Sequence, residues 1–301
     1  MRLHRYPFKA MGSLCELQLY APSPAAADRA AAQAQRELQR LEAVYSRYRD
    51  DSLVTRINRS AGSAQGIEVD AETAALLDYA QQAWQESDGL FDISSGVLRR
   101  VWDFKAGRLP TQAEIDALLP RIGWDKLRWD KPRLWLPAGM ELDFGGYVKE
   151  YAADCAARVC REAGLAHGLV DLGGDIALIG PHPDGAPWQV GIRNPRDPER
   201  AIARIPLAAG AIASSGDYER FMDVGGRRYC HILNPKTGWP VQGLAGVSVV
   251  AEHCLIAGTA TTVAMLKGAD EGPRWLAALG LPYLCILPDG QLLGSAKPSA
   301  E

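Results

Sequence analysis

The same short pattern occurs twice in this chain, each time at the end of a hydrophobic run. The copies are Leu-Asp-Phe-Gly-Gly at 142–146 and Val-Asp-Leu-Gly-Gly at 170–174, and a stretch long enough for one helix separates them. We interpret each copy as a strand end with a sharp glycine turn, because glycine lacks the Cβ that restricts left-handed backbone and close ligand approach. Backbone N–H groups exposed at such turns suit phosphate. The alternative is that the glycines merely end two strands.

Composition places the chain among globular proteins and excludes several partners. The 301 residues are 47% hydrophobic and 23% charged, which suits one large domain or two small ones. A net charge of −3 provides no basic surface for nucleic acid. No apolar run reaches the ~18 residues of a membrane span, and residues 1–7 lack the apolar core of a signal peptide. We therefore expect no nucleic-acid partner, no membrane anchor in this chain and a cytoplasmic location.

Several familiar motifs are absent. The chain contains no GxxxxGK[ST], no GxGxxG and no GxSxG, which disfavours P-loop NTPases, Rossmann dehydrogenases and α/β-hydrolases. The six cysteines have no CxxC spacing, which argues against a zinc site and against a disulfide scaffold. We expect them to be reduced and mostly buried.

Hydrophobic spacing predicts both helices and strands. Helices are expected from Ser23 to Tyr45, from about Asp70 to Glu86, just after Gly146, and over about 256–267 and 271–279. Alternating residues predict strands at 13–20, 188–192, 202–207, 211–213, 247–250 and 283–287. Loops are expected between Tyr45 and Asp70, and irregular structure with short strands over 101–141. This order favours an α+β fold with mixed or antiparallel sheets over a doubly wound one.

Polar residues concentrate in two tracts, 214–220 and 230–238, which we predict to be loops. Ser215 and Asp217 offer a hydroxyl and a carboxylate at one turn, and His231 directly precedes a strong turn sequence. Lys149 falls in the first turn of the helix after Gly146, where a cation is electrostatically misplaced unless an anion is nearby. A structural histidine and a solvated lysine are the alternatives.

Taken in order, these motifs resemble the FAD:protein FMN transferase family, the ApbE-like flavin transferases. They are Met11-Gly12-Ser13, residues 45–52, Phe91-Asp92-Ile93-Ser94, Asp143-Phe144-Gly145-Gly146 with Lys149, Asp171-Leu172-Gly173-Gly174-Asp175, Ser215-Gly216-Asp217-Tyr218, and residues 231–238. None is specific alone, but together they span nearly the whole chain. The resemblance implies an ApbE-like α+β fold over residues 1–301, with sheets flanked by helices. It also implies one domain, or two intertwined sub-domains, with an FAD cleft between them.

The resemblance implies an activity and a set of site residues. FMN would pass from FAD to a Ser or Thr of a target flavoprotein, and AMP would leave; the protein would be a monomer or homodimer. His231, Asp217 and Lys149 are the candidate catalytic residues, with the general base unassigned. The residues implied for FAD binding are Met11, Tyr48, Leu90, Phe91, Asp92, Asp143, Lys149, Gly173, Gly174, Ser215, Gly216, His231 and Ile232.

The metal site that the resemblance implies departs from the family pattern. Relatives bind Mg²⁺ through a backbone carbonyl, an Asp and a Thr, and the matching positions are Gly146, Gly258 and Thr262. Because Mg²⁺ prefers hard oxygen ligands, the glycine in place of Asp should weaken or alter the site. Three explanations stay open: FAD phosphates carry the metal, another carboxylate such as Asp217 or Glu252 takes the place, or transfer is inefficient.

A second departure and two alternative activities complete the expectations. Glu150 stands where the family usually has glycine, so it adds an anion beside a phosphate site unless it points away. The alternatives are an FAD-binding relative with little transferase activity and an FAD pyrophosphatase that yields FMN and AMP. Flavinylation targets carry Asp-x-x-Ser/Thr-Gly-Ala-Ser/Thr; residues 92–97 resemble it superficially and are interpreted as part of the FAD site.

Overall fold

The computed structural model describes residues 1–104 and 106–298 and contains one large antiparallel sheet. Its eight strands lie in the order β1-β2-β6-β7-β10-β13-β14-β15, and every neighbouring pair is antiparallel. The strands are β1 Arg2–Ala10, β2 Ser13–Ala21, β3 Ile67–Glu68, β4 Arg128–Asp130, β5 Arg133–Trp135, β6 Gly168–Leu172, β7 Asp175–Gly180, β8 Trp188–Asn194, β9 Asp197–Leu207, β10 Ala211–Gly216, β11 Phe221–Val224, β12 Arg227–Cys230, β13 Gly246–Ala251, β14 Tyr283–Ile286 and β15 Leu292–Gly294.

Six α-helices accompany the strands in the part of the chain that the structure describes. They are α1 Pro24–Tyr45, α2 Leu53–Arg59, α3 Ala71–Glu86, α4 Gln112–Asp116, α5 Val148–Glu162 and α6 Cys254–Leu279. Short 3₁₀ helices lie at Ile93–Arg100, Leu119–Arg121 and Trp124–Lys126. The expected α+β class with antiparallel sheets is confirmed.

Both faces of the main sheet are covered, because successive residues of its strands place buried apolar side chains on opposite faces. Val170 and Leu172 of β6 join the core formed with α1, α5 and α6. Leu169 of the same strand joins a second core under the β8–β9 hairpin, with Trp188. Residues i and i+2 of a strand share a face, which is why one strand feeds both cores. The candidate site lies on the helical side.

The helices follow their sequence signals closely. Ser23 caps α1 by accepting a hydrogen bond from the Ala26 N–H at 3.3 Å, and Pro24 is the first helical residue, as predicted. The helix after Gly146 begins at Val148. The last two predicted helices form one element, α6, divided by non-helical backbone at Gly268 (φ 77°).

One strand was missed, and two local predictions were wrong. Residues 2–10 form β1, for which no strand was predicted. Helix α2 lies in the expected loop. Ser52 caps it, and its own apolar residues Leu53, Val54 and Ile57 are buried. Ser214 and Ser215 belong to the end of strand β10 instead of a loop, since they pair with Ser248 and Val247 of β13.

The two Asp-x-Gly-Gly copies fold differently. The second is the β6–β7 hairpin turn, where Gly173 and Gly174 have φ of 70° and 98°, so the prediction is confirmed there. The first belongs to no strand, and neither of its glycines has positive φ, so the prediction was wrong there. Instead, the Asn58 side chain bonds both backbone groups of Leu142, at 2.7 and 2.9 Å. A side chain thus replaces the missing strand partner.

Two composition-based expectations can also be compared with the structure. All six cysteines are buried free thiols, as predicted. None of the helices in the described part of the chain is long and apolar enough to cross a membrane.

Candidate functional site

An ion pair between a half-buried lysine and a buried carboxylate joins the two Asp-x-Gly-Gly segments. Lys149, at the start of α5, places its Nζ 2.6 Å from Oδ2 of Asp175, the first residue of β7. The Asp175 side chain is only 4% exposed, and its Oδ1 accepts a hydrogen bond from the Ser214 N–H at 3.2 Å. Burial lowers the pKa of Lys149, but the charges of Asp175 and Glu150 outweigh burial and raise it above its usual value. The lysine is therefore a fixed cation and not a solvated side chain.

The second glycine turn packs on the β1–β2 turn. A Cβ at Gly173 would lie 2.9 Å from the Cβ of Ser13, so glycine is required for space as well as for its positive φ. In the β1–β2 turn, Met11 itself has a φ of 51°, which is uncommon for a residue with a side chain. The structure therefore brings together Met11, Gly173 and Gly174, all predicted FAD contacts.

The end of strand β10 is fastened to helix α6 by hydroxyl groups. Ser215 Oγ lies 2.8 Å from Thr261 Oγ1 and 3.4 Å from Thr262 Oγ1. A Cβ at Gly216 would lie 2.1 Å from the Tyr218 ring, so only glycine fits there. The predicted residues Ser215, Gly216 and Thr262 thus meet at one place.

His231 is a neutral imidazole with a free nitrogen. Its backbone N–H donates to the Arg220 carbonyl at 2.9 Å. Its Nδ1 is buried and has no hydrogen-bond partner within residues 1–104 and 106–298. Burial, and then the charges of Arg220 and Lys149, lower the pKa of His231 to about 4. A buried polar atom without a partner marks a place where a ligand can bond.

Asp217 is engaged by arginines. Its two carboxylate oxygens each lie 2.8 Å from Arg196, in the β8–β9 turn, and Arg228 is 3.7 Å away. Such bidentate pairs fix geometry well. The contacts of Asp217 within the chain are therefore those of a side chain that holds the hairpin against strand β10.

Arg47 connects two predicted FAD contacts, and we had not predicted it. It forms an ion pair with Asp143, whose other oxygen accepts the Gly145 N–H at 2.9 Å. Arg47 also donates to the Tyr48 hydroxyl at 2.9 Å, and Tyr48 is 77% exposed. The signal was available, because Arg47 lies inside the polar tract 45–52 that carries the resemblance.

Asp92 and Phe91 are buried within the protein. Asp92 Oδ1 accepts hydrogen bonds from the backbone N–H and hydroxyl of Ser94, and Oδ2 accepts from the Trp124 N–H at 2.9 Å. Phe91 packs edge-on against Tyr147. Nearby Leu90 is half-buried, and Ile232 is 8% exposed. Their roles toward FAD stay predictions.

Of the predicted metal positions, Gly258 lies where α6 contacts Glu150 of α5, Thr262 lies one turn further along α6, and Gly146 lies just before α5. Within the described residues, no backbone N–H donates to the Gly146 carbonyl. A Cβ at Gly258 would lie 2.5 Å from Cγ of Glu150, so the Glu150 side chain fills the space that a side chain at 258 would enter. Glu150 is 8% exposed, and its Oε2 has no partner in the described part of the chain. Burial and the charge of Asp175 raise the pKa of Glu150 above its usual value.

These observations fit an oxygen-rich cation site better than a histidine or thiolate site. No group of three or more His, Cys, Asp or Glu side chains in residues 1–104 and 106–298 could hold a metal by itself. The donors present are a carbonyl, a hydroxyl and one orphaned carboxylate oxygen, the hard ligands that Mg²⁺ takes along with water and phosphate.

Comparisons with known proteins identify relatives over nearly the whole chain. Residues 11–285 match the profile of the ApbE family. An FAD:protein FMN transferase of Rhodobacter capsulatus is 31% identical over 81% of this chain, which spans 48% of that relative. One of Salmonella typhimurium is 29% identical over 94% of this chain and 84% of its own length.

Solved structures agree with this result. The ApbE protein of Thermotoga maritima superposes with a TM-score of 0.90 at 29% identity, over 98% of this chain and 97% of its own. The flavin transferase ApbE of Vibrio cholerae gives a TM-score of 0.86 at 26% identity, over 98% of both chains.

Proposed function

Because the chain belongs to the ApbE family, we propose that it is an FAD:protein FMN transferase that moves FMN from FAD to a hydroxyl of a partner protein. The acceptor is a Ser or Thr of a target flavoprotein, and AMP is the leaving product. Residues 1–301 act as one ApbE-like domain with FAD bound in a cleft. The observation that carries the proposal is the Lys149–Asp175 pair, which joins both glycine segments beside strand β10.

The site supplies what phosphoryl transfer needs. The acceptor oxygen forms a bond to the FMN-side phosphorus while the bond from that phosphorus to the bridging oxygen breaks, and the hydroxyl proton passes to a base. Such a reaction depends on positioning and on neutralising negative charge. Lys149 offers a fixed positive charge, and Gly173 and Gly174 form an exposed turn in which the Gly174 N–H donates to Asp171 Oδ1 at 2.7 Å. His231 offers to FAD an Nδ1 that has no hydrogen-bond partner among the described residues.

The residues around Gly258 fit a divalent cation. The Gly146 carbonyl, the Thr262 hydroxyl and a carboxylate oxygen would hold it. When bound, such an ion neutralises charge on the pyrophosphate. Asp217, which we expected to help organise the reacting groups, would act through the loop that it anchors.

One assay tests the proposal. The protein is mixed with FAD, Mg²⁺ and an acceptor domain that carries the Asp-x-x-Ser/Thr-Gly-Ala-Ser/Thr pattern. We expect flavin fluorescence on the denatured acceptor and the release of one AMP for each acceptor labelled. An acceptor variant with Ala in place of the hydroxyl residue is the matched control and should stay unlabelled.

The same assay separates the competing activities. AMP and FMN without labelled acceptor would identify an FAD pyrophosphatase and refute transfer. FAD binding with neither product, at every Mg²⁺ concentration, would identify a binding protein. A Lys149→Met variant that transfers FMN at the wild-type rate would refute the part assigned to the ion pair.

A further inference from the structure

We propose that Glu150 supplies to a divalent cation the carboxylate ligand that relatives carry at the position of Gly258. The inference rests on the proposed function for the identity of the site, but its argument uses this chain's own packing. Glu150 lies on α5 and Gly258 on α6, so the carboxylate has moved from one helix to its neighbour. The two departures from the family pattern are then one coupled exchange.

Space is the first argument. A Cβ built on Gly258 would lie 2.5 Å from Cγ, 2.9 Å from Cδ and 2.9 Å from Oε1 of Glu150. A side chain at 258 would therefore require the Glu150 carboxyl group to move, and glycine leaves that group in its present place. The carboxyl group occupies the volume where an Asp at 258 would begin, so it can serve the same neighbours.

An unpartnered oxygen is the second argument. Glu150 is 8% exposed, and its Oε2 has no hydrogen-bond partner in the described part of the chain. A buried carboxylate without a partner is costly, and metal coordination is one of the ways in which proteins offset that cost. Its position suits that use, because Gly146 lies four residues earlier in the chain and Thr262 lies one helical turn after Gly258.

The other carboxylates considered for this role are placed less well. Both oxygens of Asp217 are held by Arg196 at 2.8 Å. Glu252 is exposed and precedes α6. Lys149, the cation nearest in sequence, is paired with Asp175 at 2.6 Å, and Glu150 Oε2 has no such partner in the described residues.

The test is direct metal binding, without any need for transfer. Mn²⁺ binding is measured by EPR and Mg²⁺ competition by calorimetry, on the protein alone and with ADP as a pyrophosphate probe. We expect one Mn²⁺ per chain, and we expect Glu150→Gln to weaken its binding by about ten-fold or more. Glu162→Gln is the matched control, since it changes an exposed carboxylate on the same helix and should bind Mn²⁺ like the wild type.

An exchange of the two positions tests the coupling. Gly258→Asp alone should lower thermal stability and Mn²⁺ affinity, because two carboxylates would compete for one space. The double variant Glu150→Gly with Gly258→Asp should restore Mn²⁺ affinity to within a few-fold of wild type. If Glu150→Gln does not fold by circular dichroism, this double variant decides the question.

The outcomes distinguish this inference from the proposed function. Wild-type Mn²⁺ affinity in Glu150→Gln, no Mn²⁺ bound by the wild type, or no recovery in the double variant would overturn the ligand assignment. Glu150-dependent Mn²⁺ binding in a protein that never labels an acceptor would support the inference and refute only the transferase. FMN transfer by Glu150→Gln with an unchanged Mg²⁺ dependence would support the transferase and refute the ligand assignment.

Discussion

Replacing Lys149 with methionine should leave the buried Asp175 carboxylate without its charge partner and destabilise the fold. The Asp175 side chain is 4% exposed and depends on Lys149 Nζ at 2.6 Å for its charge partner. Removing one partner of a buried pair typically costs 3–5 kcal/mol, because the other charge stays buried and unpaired. Lys149 itself is 26% exposed, so we expect a value of about 3 kcal/mol, toward the lower end.

The assay is urea unfolding, followed by tryptophan fluorescence and by circular dichroism, with coincident transitions required. Lys131→Met is the matched control, because Lys131 and Asp78 form a surface pair with side chains 55% and 45% exposed. Such a pair contributes at most about 1 kcal/mol. Adding Asp175→Asn to Lys149→Met removes the unpaired charge, so the double variant should be more stable than the sum of the single changes predicts.

The reasoning would be refuted by a Lys149→Met variant no less stable than Lys131→Met. It would also be refuted by strictly additive effects of Lys149→Met and Asp175→Asn, because additivity would mean that the two charges do not interact. High salt offers a further check. Salt screens exposed charges more than buried ones, so 1 M NaCl should remove the effect at Lys131 and leave most of it at Lys149.

Three further predictions follow from the same region. The pKa of His231 is lowered from 6.5 to about 4, so the unfolded chain takes up a proton at a higher pH than the folded protein does. The free energy of unfolding should therefore decrease as the pH is lowered from 6.5 to about 4, and His231→Gln should remove that part of the decrease in acid unfolding curves. Asn58→Ala should lower the free energy of unfolding in urea by about 2 kcal/mol, since both backbone bonds to Leu142 are lost. Asn58→Asp should cost at least as much, because it keeps the acceptor for the Leu142 N–H but sets a carboxylate oxygen against the Leu142 carbonyl. Gly173→Ala should lower the free energy of unfolding by at least ~1 kcal/mol, because alanine is strained at a φ of 70°. Gly146→Ala has open space for its Cβ and should change that free energy by less than ~0.5 kcal/mol. Equal effects of the two substitutions would contradict our account of the two turns.

Sequence reasoning located the site motifs, but the partners of their side chains became visible only in the fold. The misplaced cation at Lys149 correctly indicated a nearby anion, and that anion is Asp175, 26 positions away in sequence. Arg47 was overlooked, because its partner Asp143 lies 96 positions away in the sequence. The loop predicted at Ser214 was wrong, since polar residues can end a central strand when a neighbouring strand and helix satisfy them.

By itself, the sequence determined the α+β class, the long helices and the order of the motifs, because caps, spacing and glycine turns are local signals. Only the tertiary structure decided that Glu150 and Gly258 meet, because the carboxyl group of Glu150 fills the space beside Gly258 across two packed helices. It also showed that the two glycine segments differ, one a hairpin turn and the other held by Asn58. Contacts between residues far apart in sequence leave no local pattern, so they are set by packing alone.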